Sequence, residues 1–255
     1  MKFMKRRMYN LFRSDGRTLI VAMDGANQAQ AVTGGYRNTG EFIEKCVAGG
    51  ADVIMTTYGT IKNFAKEIGG AGVIMNFMPD GVMLDRGVAE AARIGADGIK
   101  AMIMPWFEAR PNALLNAAAI GDECDKLGIV YLPEIMPGGG RVGPEMRTPE
   151  KIAAGARVAA EAGGDFVKTF YTGDPESFKM VVNSTYIPVV ILGGEKAESD
   201  EALLKTVKDS LDAGGSGCAF GRNIVQHPNP DKICAAIAAV MHDGATVAQA
   251  MKRLK

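Results

Sequence analysis

Four times along this chain, a run of small residues containing glycine leads directly into a strand-like run. Ala48-Gly49-Gly50-Ala51-Asp52 precedes Val53-Ile54-Met55, and Ile94-Gly95-Ala96-Asp97-Gly98 precedes Ile99-Lys100-Ala101-Met102. Ala162-Gly163-Gly164-Asp165 precedes Phe166-Val167-Lys168, and Ala213-Gly214-Gly215-Ser216 precedes Gly217-Cys218-Ala219-Phe220. Each reads as a helix ending on glycine, the residue that a left-handed cap favours, with a strand beginning at once. Helix-to-strand junctions at this rate predict alternating β and α elements around a parallel sheet.

Eight strands fit the pattern: Thr18–Asp24, Asp52–Thr56, Gly72–Phe77, Gly98–Ile103, Ile129–Glu134, Asp165–Phe170, Pro188–Leu192 and Gly217–Phe220. The helices between and after them are expected at Thr39–Ala48, Thr60–Ile68, Asp85–Ile94, Asn112–Leu127, Pro149–Ala162, Pro175–Ser184, Asp200–Ala213 and Asp231–His242. Eight such units in roughly 250 residues match the (β/α)8 or TIM barrel of the α/β class. A doubly wound sheet is the second reading, because strand count alone does not close a barrel. No linker or shift in composition divides the chain, so one domain over 1–255 is expected, with an N-terminal arm at 1–16 and a terminal helix at Thr246–Lys255.

Charge and cysteine usage narrow the function. The 29 basic and 29 acidic residues cancel, so no global field draws nucleic acid or an acidic membrane surface. No run reaches the roughly 18 apolar residues of a membrane span. Met1 to Arg13 mixes five basic residues with Phe3, Met4, Tyr9 and Phe12, which is no secretory signal. It is expected to pack on the body or on a neighbouring subunit, the chain being expected to form a homo-oligomer. Cys46, Cys124, Cys218 and Cys234 are widely spaced, as reduced, buried thiols in the cytoplasm would be. His227 and His242 are the only histidines and neither ends a strand, which argues against a multi-histidine zinc centre. No metal and no cofactor are expected.

In a barrel, chemistry gathers at the carboxyl ends of the strands. Alternation puts Asp24 on a face with Ile20 and Ala22, Lys100 with Met102, Glu134 with Val130 and Leu132, and Lys168 with Phe166 and Phe170. If these faces point inward, two lysines and two carboxylates meet in one apolar-walled cup. Four separate ion pairs are the competing reading, but charges are seldom buried on barrel strands for packing alone. A buried lysine relieved of its proton is a nucleophile that forms a Schiff base with a carbonyl; for Lys168 by itself, a stem snorkelling to solvent is the plainer alternative. A second ammonium favours the neutral amine and carboxylates favour the charged one, a balance the sequence leaves open. Tyr131 competes with Glu134 as the acid of strand five, but its parity turns it toward the helices.

Two glycine turns follow the last strands, Leu192-Gly193-Gly194-Glu195-Lys196 and Phe220-Gly221-Arg222-Asn223. Bare amides at Gly193, Gly194 and Gly221, the start of a helical segment and the Arg222 guanidinium predict a phosphate cradle. Barrels often place one there, while plain tight turns are the alternative. Gly138, Gly140 and Gly143 spell G-x-G-x-x-G. Pro144 follows at once and no helix is expected before Pro149, so an active-site loop fits better than a dinucleotide site. Asn27 to Gly35 is small and polar, as a loop folding over a ligand would be.

Val21-Ala22-Met23-Asp24-Gly25, Val167-Lys168-Thr169-Phe170-Tyr171-Thr172-Gly173-Asp174, Leu192-Gly193-Gly194 and Gly221-Arg222-Asn223 resemble the DeoC/LacD-type class I aldolases. That group includes archaeal fructose-bisphosphate aldolase and tagatose-bisphosphate aldolase, and the similarity runs from about Arg17 to His242. The resemblance implies a Schiff-base lysine at Lys168, a proton-handling aspartate at Asp24 and phosphate binding at the two late turns. The archaeal enzymes commonly carry Asp-His-Gly after strand one, where this chain has Asp24-Gly25. They use a tyrosine near the end of strand five, where this chain has Leu132-Pro133-Glu134. Glu134 together with Lys100 looks more like the tagatose-bisphosphate branch.

The expectation is therefore a lyase that makes or breaks a carbon–carbon bond beside the ketone of a phosphorylated, ketose-like substrate. Lys168 would attack the ketone and Glu134 would move the hydroxyl proton. Asp24 would assist dehydration or hold hydroxyls, and Lys100 would orient Glu134 or Lys168. Two alternatives remain: a coenzyme A-dependent thiolase on a phosphorylated diketone of the autoinducer-2 pathway type, and a non-catalytic phosphosugar-binding barrel.

Overall fold

All eight expected strands form, and in the computed structural model they close on themselves. The structure describes residues 5–25, 34–77, 84–139, 144–194 and 196–255. In chain order the elements are α1 (Met8–Leu11), β1 (Thr18–Met23), α2 (Thr39–Ala48), β2 (Val53–Thr56), α3 (Tyr58–Asn63), α4 (Ala65–Ile68), β3 (Gly72–Phe77), α5 (Leu84–Arg93), β4 (Gly98–Ile103) and α6 (Ala113–Leu127). They continue as β5 (Val130–Ile135), α7 (Pro149–Glu161), β6 (Val167–Thr169), α8 (Pro175–Asn183), β7 (Val189–Leu192), α9 (Asp200–Asp212), β8 (Gly217–Phe220), α10 (Arg222–Val225), α11 (Pro230–His242) and α12 (Val247–Ala250). Each strand pairs in parallel with the next, and β8 returns to β1 from Thr18↔Gly217 to Val21↔Phe220. That closure makes the fold a (β/α)8 barrel and sets aside the doubly wound alternative.

Alternation along the strands sorts the apolar residues into two cores. Ile20, Ala22, Val53, Met55, Val130, Leu132 and Phe166 fill the barrel interior, while Leu19, Val21, Ile54, Ile99 and Tyr131 pack outward with the helices. The inner core is closed below by the arm: Met8, Leu11 and Phe12 belong to it, and the Phe12 ring meets Phe166 edge-on at 5.0 Å. Filled below by the arm, the barrel holds a cavity at the carboxyl ends of its strands.

The repeated junctions explain how that lower end is tied. Gly50, Gly95, Gly163 and Gly214 all have left-handed φ, between 83° and 97°, the conformation that lets each helix end and the chain turn straight into a strand. In three repeats the aspartate that follows then reaches sideways. Asp52 accepts from the Leu19 amide at 2.7 Å, Asp97 from Val73 at 3.0 Å and Asp165 from Tyr131 at 2.8 Å. Each also holds the arm, through Arg13 on Asp52, Asn10 on Asp97 and Lys5 on Asp165.

Several boundaries differ from expectation for local reasons. Strand six was expected from Asp165 to Phe170 but spans Val167–Thr169. Asp165 is drawn off to the Lys5 and Tyr131 contacts, and the β5–β6 ladder is confined to Glu134↔Lys168. Tyr131 exchanges its backbone bonds with Asp165; Pro133, two residues on and facing the same neighbour, has no N–H to extend them. The expected helix Thr60–Ile68 divides into α3 and α4 at Phe64, whose φ of −124° leaves the helical region. The terminal helix is a capped turn, Val247–Ala250, followed by a 3-10 turn at Met251–Leu254. All four cysteines are buried and free, as expected. Among the described residues no helix is long and apolar enough to cross a membrane.

Candidate active site

The register of three neighbouring strands builds the centre of the site. Met102, Glu134 and Lys168 are cross-strand partners on β4, β5 and β6, so the glutamate and lysine sit side by side at one height. Lys100 starts one inward position lower, beside Leu132, and its four-carbon stem carries the ammonium up to them. Asp24 lies just past the end of β1.

Four side chains thereby form a continuous ionic chain. Lys168 Nζ lies 2.7 Å from Glu134 Oε1, Lys100 Nζ lies 2.8 Å from Glu134 Oε2, and Lys100 Nζ lies 2.9 Å from Asp24 Oδ2. Lys100, Glu134 and Lys168 are all buried. Burial opposes the charge on Glu134, but Lys100 and Lys168 outweigh it and hold the carboxyl at about 2. Burial likewise opposes the charge on Lys100, and Glu134 with Asp24 more than compensates, raising its pKa. Lys100 is thus fixed as an ammonium between two carboxylates. Its ion pairs are with Asp24 and Glu134.

All eight residues singled out from the sequence, Lys168, Asp24, Glu134, Lys100, Gly193, Gly194, Gly221 and Arg222, line one cavity of about 360 Å3. Tyr131 does not. It points into the helix layer, fully buried, where burial pushes its phenol far up and the hydroxyl finds no partner among the described residues. At the far wall Arg222 donates to the Gly194 carbonyl, which joins the two glycine turns. Asn223 holds the same turn from behind, accepting from the Ala197 amide at 2.8 Å. A β-carbon at Gly193 would meet Asn223 and Phe220 at 3.1 Å, and one at Gly221 would meet the Ala22 carbonyl oxygen at 3.0 Å.

Two polar residues of the cavity wall escaped the sequence reading. Arg147, just ahead of α7, stacks its guanidinium over the Phe170 ring at 4.7 Å, an attraction between cation and ring face. Among the described residues it has no carboxylate partner. Tyr36 reaches back from the loop after β1, and its hydroxyl accepts from the Gly25 amide at 2.7 Å. Neither ends a strand, so alternation gave no signal for either. Residues 27–33 of the loop expected to fold over a ligand, and 140–143 of the expected active-site loop after β5, lie outside the described residues, as does Glu195. Among the described residues no cluster of three or more His, Cys, Asp or Glu is placed to hold a metal ion.

Comparison with known proteins gives this site its class. The chain belongs to the DeoC/LacD family aldolases, whose family model matches residues 18–227. It is 32% identical to a 2-amino-3,7-dideoxy-D-threo-hept-6-ulosonate synthase of Halobacterium salinarum, over 98% of this chain and 96% of that one. It is 28% identical to an uncharacterized aldolase of Saccharolobus solfataricus, over 98% of each. Among solved structures, an archaeal fructose 1,6-bisphosphate aldolase superposes with a TM-score of 0.82 at 25% identity, covering 93% of this chain and 98% of the other. A Schiff base-forming fructose-1,6-bisphosphate aldolase superposes with a TM-score of 0.80, also at 25% identity, covering 92% and 98%. The chain is accordingly a lyase of the aldolase type.

Proposed function

We propose that Lys168 is the nucleophile of a class I aldolase acting on a phosphorylated ketose, with Glu134 as its proton carrier. The observation that carries this reading is the division of labour between the two buried lysines. Both line the cavity, but Lys100 is locked as an ammonium by two carboxylates, whereas Lys168 touches one. Lys168 adds to the ketone, and the carbinolamine loses water to give an iminium. Glu134 then takes the proton of the hydroxyl on the carbon beyond the breaking bond. That bond's electron pair moves into the iminium, an aldehyde leaves, and the enamine is protonated and hydrolysed to free the lysine. Positioned proton transfer of this kind contributes roughly 10²–10⁴-fold in rate.

Arg222 and the turns at Gly193, Gly194 and Gly221 receive the phosphate on the ketone half. Arg147, on the other side of Lys168, faces the aldehyde half. The relatives support a phosphorylated substrate: the solved neighbours are named for a bisphosphorylated sugar, and a 29% identical synthase of Streptomyces griseus, matched over 66% of this chain and 61% of its own length, is named for a phosphonooxy product. The aldolase reading predicts turnover without coenzyme A, and the thiolase alternative predicts none.

The test is a pair of ketoses that differ only in the phosphate. Arg222→Ala is expected to raise KM for the phosphorylated one about 10–150-fold, the worth of a charge-assisted hydrogen bond, and to leave the dephosphorylated analogue within a few-fold. Equal losses on both would remove the phosphate assignment.

A further inference from the structure

The wall of the cavity formed by β1 carries a second polar pair. Asp24 offers a carboxylate of which one oxygen is taken by Lys100; among the described residues it has no other partner. Beside it, Tyr36 accepts from the Gly25 amide at 2.7 Å. An amide donating to a phenol oxygen leaves the phenol's own proton uncommitted and polarises it as a donor. Burial, with Asp24 nearby, lifts the phenol to about 12, so this group donates and does not ionise at neutral pH.

The sequence has arranged for this tyrosine to be held in place. It sits at the end of a 3-10 turn, Gly34–Tyr36, wedged between two helices. At Gly34, with φ of +52°, a β-carbon would lie 2.2 Å from the Val225 carbonyl oxygen, and at Gly35 one would lie 2.4 Å from the Phe42 ring. The turn can approach α10 and α2 this closely only because both residues lack a side chain.

We infer that Tyr36 and Asp24 together recognise one hydroxyl of the substrate, the phenol donating to its oxygen and the free carboxylate oxygen accepting its proton. This rests on the Schiff-base reading of Lys168 and deepens it by naming the ketone it favours. The hydroxyl belongs to the ketone half because β1 is hydrogen-bonded to β8 up to Val21↔Phe220, and Gly221 lies against Ala22. A ketone whose phosphate occupies the turns after β7 and β8 therefore runs alongside Asp24 and Tyr36, with the imine carbon at Lys168. The favoured donor is a hydroxymethyl ketone phosphate, not its deoxy counterpart.

Borohydride trapping at Lys168 with two ketones, dihydroxyacetone phosphate and hydroxyacetone phosphate, tests this at sub-saturating concentration. The wild-type protein is expected to trap the hydroxylated ketone at least about tenfold faster, because the phenol's neutral hydrogen bond adds to the carboxylate's charge-assisted one. In Tyr36→Phe the ratio is expected to fall about three- to tenfold, the worth of the neutral hydrogen bond alone, with the thermal midpoint confirming that the variant is folded. A Tyr36→Phe loss shared equally by both ketones would overturn the proposal and make the tyrosine a support for the turn alone. A ratio unchanged by the substitution would also overturn it. Absence of a Lys168 adduct with either ketone in wild type would instead overturn the Schiff-base reading, and this inference with it.

Discussion

At the scale of the residue, what distinguishes Glu134 from Tyr131 is parity. The two are three positions apart on β5, so one faces the cavity and the other the helices. Glu134 is held ionised by the lysine side chains at 100 and 168, while Tyr131 is sealed among apolar side chains with a phenol that burial keeps protonated. Glu134→Gln is expected to lower carbon–carbon cleavage by about 10²–10⁴-fold while a borohydride-trapped lysine adduct still forms. Tyr131→Phe is expected to change activity by less than about threefold, since its hydroxyl has no partner among the described residues; steady-state kinetics with single-turnover trapping reads both. Alternation made Asp24, Lys100, Glu134 and Lys168 legible in the sequence. Arg147 and Tyr36 were not, because each reaches the cavity from a loop whose path depends on the helices it crosses.

At the scale of the element, the sequence repeats were visible but half their purpose was not. The glycines announced helix ends, whereas the aspartates at 52, 97 and 165 carried no local signal of pairing with a neighbouring strand and with the arm. His242, at the end of α11, joins this lower network. Its Nδ1 lies 2.7 Å from Asp15 and its Nε2 lies 3.0 Å from Asp52, with Arg13 on the same Asp52. Burial works against its positive charge, but the hydrogen bonds to Asp52 and Asp15 prevail and raise its pKa above 6.5. A folded value above the unfolded one means stability fully present below about pH 6.5 and lost as pH climbs through the raised folded value. Thermal midpoints of wild type should therefore fall over that interval relative to His242→Asn, whose profile should be flatter there. Parallel profiles would show that the imidazolium contributes nothing. The break of the expected helix at Phe64 and the shortened β6 were likewise illegible, since both follow from tertiary partners.

At the scale of the whole molecule, the active site exists only because the barrel closes. Lys168, Glu134, Lys100 and Asp24 come from four strands, and the two glycine turns of the cavity wall from two more; the last of these, β8, meets the first through the closing ladder. Counting eight helix–strand units made that closure readable, and the arm's role as a floor for the barrel followed only from packing. The central claim of this account is that the closed barrel presents one lysine as a covalent catalyst. Incubation with dihydroxyacetone phosphate and borohydride, followed by peptide mass mapping, tests it most directly. The account predicts one reduced adduct on the peptide containing Lys168, and loss of both adduct and turnover in a folded Lys168→Met, a change that roughly conserves volume. An adduct on Lys100, or full turnover with no adduct on any lysine, would contradict it.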